Sequence, residues 1–522
     1  MLQITTLNMI KKVNGVIAAG HPETVKAGLA IFDAGGNAFD AAVACMLAAC
    51  VTEPGLTSLA GGGFLLAHTN SNQNILFDFF TQTPQYKRPT SQLDFYPVGV
   101  NFGTMIQDFH IGLGSMAVPG VWAGVIRVQE TLGRLPLSVV AEPAIILAKS
   151  GVEVNSFQAY TFSNLLQPIL LTTAEGREIY APNGDILKSC DRLIMTHFSQ
   201  ALEGLVLGGR EEFYHGEIAQ QLVRDCQNNG GHLTLEDLEN YTVIERNPLT
   251  LNYRGKTLLT NPPPSSGGTL IAFALKLLSS VDLTKIQFGS PQYLNLLKTV
   301  MQVTNIARKE RLDGDLHELN IAENFLSSVS NYQEPFLHSV NKWGSTTHIS
   351  VLDQEGNAAS VTTSNGEGSG YMIPGTGIMV NNMLGEEDLN PQGFHQWLEN
   401  VRISSMMSPT LVLNDHHKPD IVLGSGGSNR IRTAILQVLL NLIDFKMSVE
   451  DAVNRPRVHW ENHRFDIEPG FDEETVNHLN LSAQDSIRLW PEKNMFFGGV
   501  NTLVKTSDGE LFGAGDIRRN GV

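Results

Sequence analysis

Cysteine is scarce in this chain of 522 residues: only Cys45, Cys50, Cys190 and Cys226 occur, with no CxxC pair. A zinc cluster or a disulfide scaffold needs more cysteines at closer spacing. Cys45 and Cys50 lie in an apolar, alanine-rich run, and the four are expected to be buried free thiols. Positive charge is also short. Lys and Arg number 36 against 53 Asp and Glu, a formal net charge of −17. That balance argues against nonspecific binding to nucleic acid or anionic membrane, though it is compatible with a small basic site. The longest small-and-apolar run, 38–52, is interrupted by Asp40 and is too short to span a bilayer. The first residues hold a lysine pair with no apolar run ahead of it, so no secretory signal is read and a cytoplasmic location is expected. No HExxH, EF-hand or paired-cysteine pattern is present, and neither metal nor cofactor is expected.

What remains is a folding composition. Hydrophobic residues make up 42% and charged residues 17%, with no collagen or heptad repeat and no low-complexity linker. The length suits roughly two to four domain-sized units or one large layered core. Residues 23–51 carry a small-residue apolar face and read as helix, broken or kinked at Gly35-Gly36. Strands are expected at 64–67 and 75–80, after a glycine run at 61–63. The stretch 104–250 reads as mainly helical, and a weak relative of a capping box, Thr234 with Asp237, marks one helix start. NPPPSSGG at 261–268 reads as a rigid turn before a helix from Thr269. The character changes near residue 343. Strands are expected at 347–353, 358–363, 376–381, 411–413 and 421–423, a helix at 432–445, and a closing hairpin. Strands and helices in blocks suggest stacked sheets covered by helices.

Two segments carry candidate chemistry. Gly344-Ser345-Thr346-Thr347-His348 stands directly before a hairpin. Threonines at a strand start are ordinary, because β-branched residues favour strands. Gly424-Ser425-Gly426-Gly427-Ser428-Asn429-Arg430 reads either as a turn or as a nest of backbone N–H groups for an anion. It lacks the Lys-Ser/Thr of a P-loop and the strand-turn-helix setting of a dinucleotide site.

Motifs in order along nearly the whole chain join these segments. They include GVIAAGHPETVKAGLAIFDAGGNAFDAAVA (15–44), EPGLTSLAGGGFLL, GSMAVPGVWAG, PPPSSGG, STTHISVLDQEGNAASVT, SSMMSPTLVL, GSGGSNRIRTAILQ and SVEDAVNRPRVHWE. Together they resemble the gamma-glutamyltransferase family of glutathione hydrolases and related acylases, which are self-cleaving N-terminal-nucleophile hydrolases. The resemblance implies an α/β (α+β) fold, a four-layer αββα sandwich with additional helices. It implies cleavage between Ser345 and Thr346, giving fragments 1–345 and 346–522 that share one core. Thr346 would then be the nucleophile, with its freed α-amine, of reference pKa about 8, as local base. Ser364 matches a second threonine that hydrogen-bonds the nucleophile. Gly427 and Ser428 match the pair whose N–H groups form an oxyanion hole. Asn381 and Asn382 precede the substrate loop. Glu386 matches an aspartate that pairs with the glutamyl α-amine. Ser405 and Met406 match a serine pair at the glutamyl carboxylate, so one hydroxyl is missing unless Ser404 substitutes. The implied partners are a small amide donor, water or an amine as acceptor, and the two fragments for each other; no nucleic acid, membrane or metal is implied.

Phe80 is the departure with most consequence. It stands where the family has an arginine that grips the glutamyl carboxylate, a fork that phenylalanine cannot supply. Arg402 and Arg430 are candidates to replace it. The loop between Glu386 and Ser404 is short, so the lid that often covers the pocket is expected to be missing. Three readings therefore stand: a gamma-glutamyltransferase or glutathione hydrolase, an acylase with a non-glutamyl substrate, and an uncleaved, inactive homologue with a binding role.

Overall fold

The computed structural model describes residues 14–101, 106–332, 346–390 and 392–522. Two six-stranded sheets form its centre. The first runs, in spatial order, Gly15–Ala18, Thr347–Asp353, Ala358–Ser364, Gly62–His68, Asn74–Phe79 and Ile244–Arg246. The second runs Leu511–Ala514, Gly499–Lys505, Pro419–Gly426, Thr410–Leu413, Lys256–Thr260 and Leu249–Tyr253. All ten pairings within these sheets are antiparallel. The sheets face each other: Thr347–Asp353 packs on both Pro419–Gly426 and Gly499–Lys505. Helix Ala38–Thr52 covers the outer face of the first sheet, and helix Arg430–Ile443 covers the second. The result is the expected αββα sandwich, with further helices at 121–132, 137–150 and 196–214 beside the first covering layer.

Local chemistry fixes the covering helices. The first, Pro22–Asp33, begins with His21 accepting from Glu23 N–H, and proline opens its first turn. Gly35, at φ 90°, ends it. Asn37 and Asp40 then form a reciprocal capping box that starts Ala38–Thr52. All fifteen residues of that second helix are buried. Alanines on every side let it sit close to the sheet and to its neighbours at once. The break anticipated at Gly35-Gly36 is thus a turn between two helices.

Alternation along Thr347–Asp353 sorts its side chains between two buried faces. Thr347, Ile349 and Val351 look toward helix Ala38–Thr52, while His348 and Ser350 look into the space between the sheets. There His348 Nδ1 lies 2.8 Å from Thr362 Oγ1, and its Nε2 lies 3.0 Å from Ser350 Oγ. Burial holds this imidazole neutral, its pKa lowered to about 3. Gly424 makes room for the ring: a Cβ there would stand 2.3 Å from His348 Cε1.

Three expectations need correction. A hairpin, Tyr96–Asn101 with Ile106–Ile111, occupies part of the stretch read as helical. The strand expected at 376–381 is a two-residue rung, Met372–Ile373 on Ile378–Met379. Cys190 is exposed, on a positive-φ turn, while the other three thiols are buried. No described helix is long and apolar enough to cross a membrane.

Candidate active site

Thr346 stands just ahead of the central strand Thr347–Asp353, 5% exposed. Arg519 Nη1 donates to its carbonyl oxygen at 3.2 Å. The backbone of Gly426 closes the other side: a Cβ there would meet that oxygen at 2.0 Å. The first peptide unit of the strand is therefore held from two directions. Ser345 lies outside the described residues.

Thr346 opens onto a cleft of about 630 Å³ that also receives Ser364, Ser428, Glu386, Ser405, Met406 and Phe80. Residues from both sheets and three loops thus converge on one space. Ser364 ends the neighbouring strand, and its Oγ accepts from Gly366 N–H at 3.0 Å. Gly427 and Ser428 have φ of 125° and 50°, a left-handed turn feeding helix Arg430–Ile443. The helix start takes their carbonyls, with Arg430 N–H donating to Gly427 and Ile431 N–H to Ser428. The positive end of the helix dipole thus lies at this turn. Ser428 Oγ donates to Asp388 on the substrate-side loop, tying the turn to the opposite wall.

Glu386 is buried, and its Oε1 has no hydrogen-bond partner among the described residues. Burial, with the Asp388 charge adding to it, raises its pKa to about 7. A donor arriving in the cleft would meet an acceptor already in place. Asn382 stands behind that wall. Its Oδ1 accepts from Glu367 N–H at 3.0 Å, and it crowds Gly366. Asn381 pins the loop onto Ala60 and Ala117 through four backbone contacts, counting Met383 N–H. Gly427 and Asn382 therefore support the cleft from outside its lining.

The carboxylate-binding end differs from expectation. Phe80 is 1% exposed and stacks on Phe64, ring centroids 5.4 Å apart. Arg402 does not reach the cleft. It donates to the Phe80 and Thr242 carbonyls at 2.7 Å, pairs with Asp78 at 3.3 Å, and lies over the Tyr241 ring. Arg430 is buried against Phe496. The guanidinium that does line the cleft is Arg308, bound to Asp313 at 2.8 Å and to Asn429 Oδ1 at 3.2 Å. Ser405 Oγ accepts from Met407 N–H at 3.1 Å, and Ser404 borders the cleft next to it. Sequence reasoning missed Arg308 and Asp388. Arg308 sits in the basic last turn of helix Pro291–Arg311, which reads simply as a complement to the helix dipole. Among the described residues, no cluster of His, Cys, Asp or Glu is arranged to hold a metal.

Comparison with known proteins follows the same lines. Residues 24–522 match the family model for gamma-glutamyltranspeptidase. The glutathione hydrolase proenzyme of Escherichia coli strain K12 is 31% identical, the match covering 98% of this chain and 91% of that one. The acylase ACY 1 proenzyme of Pseudomonas sp. strain V22 is 29% identical, over 97% of this chain and 92% of that one. The crystal structure of cephalosporin acylase from Bacillus halodurans has the same fold, with a TM-score of 0.83 at 22% identity, covering 100% of this chain and 98% of that one. The chain belongs to the gamma-glutamyltranspeptidase family and is an enzyme of the N-terminal-nucleophile hydrolase superfamily.

Proposed function

We propose that the chain is a self-cleaving precursor that matures by a break between Ser345 and Thr346, leaving fragments 1–345 and 346–522. Thr346 Oγ1 attacks the Ser345 carbonyl carbon, the C–N bond breaks, and the acyl group passes to oxygen as an ester. That break frees the Thr346 amine, and water then hydrolyses the ester, releasing the Ser345 carboxylate and restoring the Thr346 hydroxyl. In the mature enzyme this amine takes the hydroxyl proton as Oγ1 attacks a substrate amide. The N–H groups of Gly427 and Ser428 receive the developing oxyanion. The leaving amine departs with the proton, and the Thr346 ester passes its acyl group to water or to an amine. Ser364 orients the nucleophile, and Glu386 accepts from the α-amine where the acyl group is glutamyl.

The observation that carries this reading is the meeting of Thr346, Ser364 and Ser428 on one cleft at the head of a central strand. Intact mass of purified wild type beside Thr346→Ala tests it. Two fragments parted before Thr346 in wild type alone are expected, followed by an acyl adduct on the smaller fragment when γ-glutamyl or other amides are supplied. One uncut chain in both proteins, with no adduct, would overturn it and favour an inactive binding homologue.

A second reading within the same chemistry is an acylase that takes a non-glutamyl acyl group. Phe80 favours it: Arg402 is consumed by Asp78 and two carbonyls, and Arg308, the guanidinium that lines the cleft, is held by Asp313 and Asn429. Comparing γ-glutamyl with non-glutamyl anilides decides between the two; strong, saturable γ-glutamyl turnover removes the second.

A further inference from the structure

The cleft at Thr346 does not end at Ser404. A second, half-open chamber shares four lining residues with it: Asp313, Leu316, Leu389 and Ser404. Thr346, Ser364 and Ser428 line only the first chamber. The second therefore extends the first on the side of Leu389 and Ser404. Its added walls carry an apolar strip, Trp397, Leu398, Val401 and Ile403, beside polar residues that include Gln392, Gln396 and Arg402.

Two of the charges near it are occupied. Asp313 is paired with Arg308, and Arg402 with Asp78. Burial lowers the pKa of His317, with the Arg246 charge acting the same way, so the imidazole is neutral at neutral pH. Trp397 is fixed between Lys87, 4.6 Å above its ring, and the His232 ring at 5.3 Å. Its indole Nε1 is buried with no partner among the described residues. At the junction, where Arg308 is held by Asp313, a ligand carboxylate would meet no unpaired cation, whereas an apolar chain would remove Leu316, Leu389 and Trp397 surface from water; Lys87 stands only at the far end, over the Trp397 ring.

We propose that the second chamber is the distal part of the acyl site, and that the acyl group is an extended apolar chain running from Thr346 past Ser404 to Trp397. This rests on Thr346 as the acylated nucleophile. Phe80 then has a positive role: with Met406 it forms an apolar passage where a glutamyl group would place its carboxylate.

The test is a pair of primary amides, butanamide and octanamide, titrated calorimetrically into the wild-type protein, Leu389→Trp and Trp397→Ala. Octanamide should bind wild type at least about tenfold more tightly, because its four extra methylenes enter the second chamber. Both substitutions should shrink that ratio to within about twofold, one by filling the junction and the other by removing the far wall. Two variants guard against misfolding of either. Equal affinities in wild type overturn the proposal, as does a preference that survives both substitutions. Acylation of Thr346 is scored by mass on the same wild-type sample. Its absence would remove the proposed nucleophile, while the affinity ratio still reports on the chamber.

Discussion

Glu53 accepts hydrogen bonds from Thr347 Oγ1 at 3.0 and 3.1 Å, one residue past the candidate nucleophile. It ends helix Ala38–Thr52, so a carboxylate stands at the negative pole of that helix, buried against Gly20. Burial raises its pKa from 4.5 to about 7, although the Thr347 hydrogen bond and Arg519 pull the other way.

A stability difference with pH follows. The folded pKa lies above the unfolded one, so the stabilisation from Glu53 is complete below about pH 4.5 and is lost as pH rises through 7. Glu53→Gln, which never ionises, should gain on wild type by on the order of 2 kcal/mol between about pH 5 and pH 8. Urea unfolding of both proteins at the two pH values measures this. A difference that does not change with pH would contradict a buried, protonatable Glu53.

Gly426→Ala should cripple the chemistry while sparing most of the fold. The new methyl would lie 2.0 Å from Thr346 O, and a backbone atom must move to admit it. A shift near 1 Å at the reacting residue costs about 100-fold in kcat, with a smaller change in KM. Kinetics with any turned-over anilide, beside the yield of cleaved chain, checks this.

Restoring the family arginine should fail. Phe80→Arg would put a guanidinium against Phe64, on a cleft where Asp313 and Asp388 are already engaged by Arg308 and Ser428 and where burial pushes Glu386 toward its neutral form. Loss of about 3–5 kcal/mol is expected for an unpaired buried charge, with no rise in γ-glutamyl kcat/KM. A stable variant whose γ-glutamyl kcat/KM climbs tenfold would falsify this account of the wall.

Ser428→Gly separates hydroxyl from N–H. Glycine adopts the φ of 50° without strain, and the lost bond to Asp388 opposes that gain. If the N–H is the part that works, self-cleavage and acylation rates should stay within about threefold of wild type. A loss of about 100-fold would assign the work to the hydroxyl and its tie to Asp388.

The sandwich is legible where local and global signals agree. The hairpin from Thr347 to Ser364 shows as β-branched runs around a Glu355-Gly356-Asn357 turn, and both strands lie where expected. Helix Arg430–Ile443 is visible in its apolar spacing. The polar layer of His348, Ser350 and Thr362 is not visible, because polar residues on one side of a strand look like a solvent face until the second sheet covers them. The Tyr96–Asn101 hairpin is hidden by Pro97, Gly99 and Gly103, which read as loop. At the cleft, Thr346, Ser364, Glu386 and Ser428 line one space. Arg308 and Asp388 were invisible, since helix Pro291–Arg311 and the loop after Glu386 meet there only through tertiary packing.

Both sheets draw strands from either side of residue 346. In the first, Thr347–Asp353 lies hydrogen-bonded between Gly15–Ala18 and Ala358–Ser364, and the latter pairs in turn with Gly62–His68. A break before Thr346 would cut the chain without cutting these ladders. It would, however, change the molecularity of unfolding. The uncut chain unfolds and refolds as one body, whereas two fragments must find each other, so the apparent stability of the cut form depends on its concentration. Neither fragment keeps a complete sheet, and each would expose unpaired strand edges when apart. Maturation would thus exchange reversible folding for persistence set by the rate of unfolding.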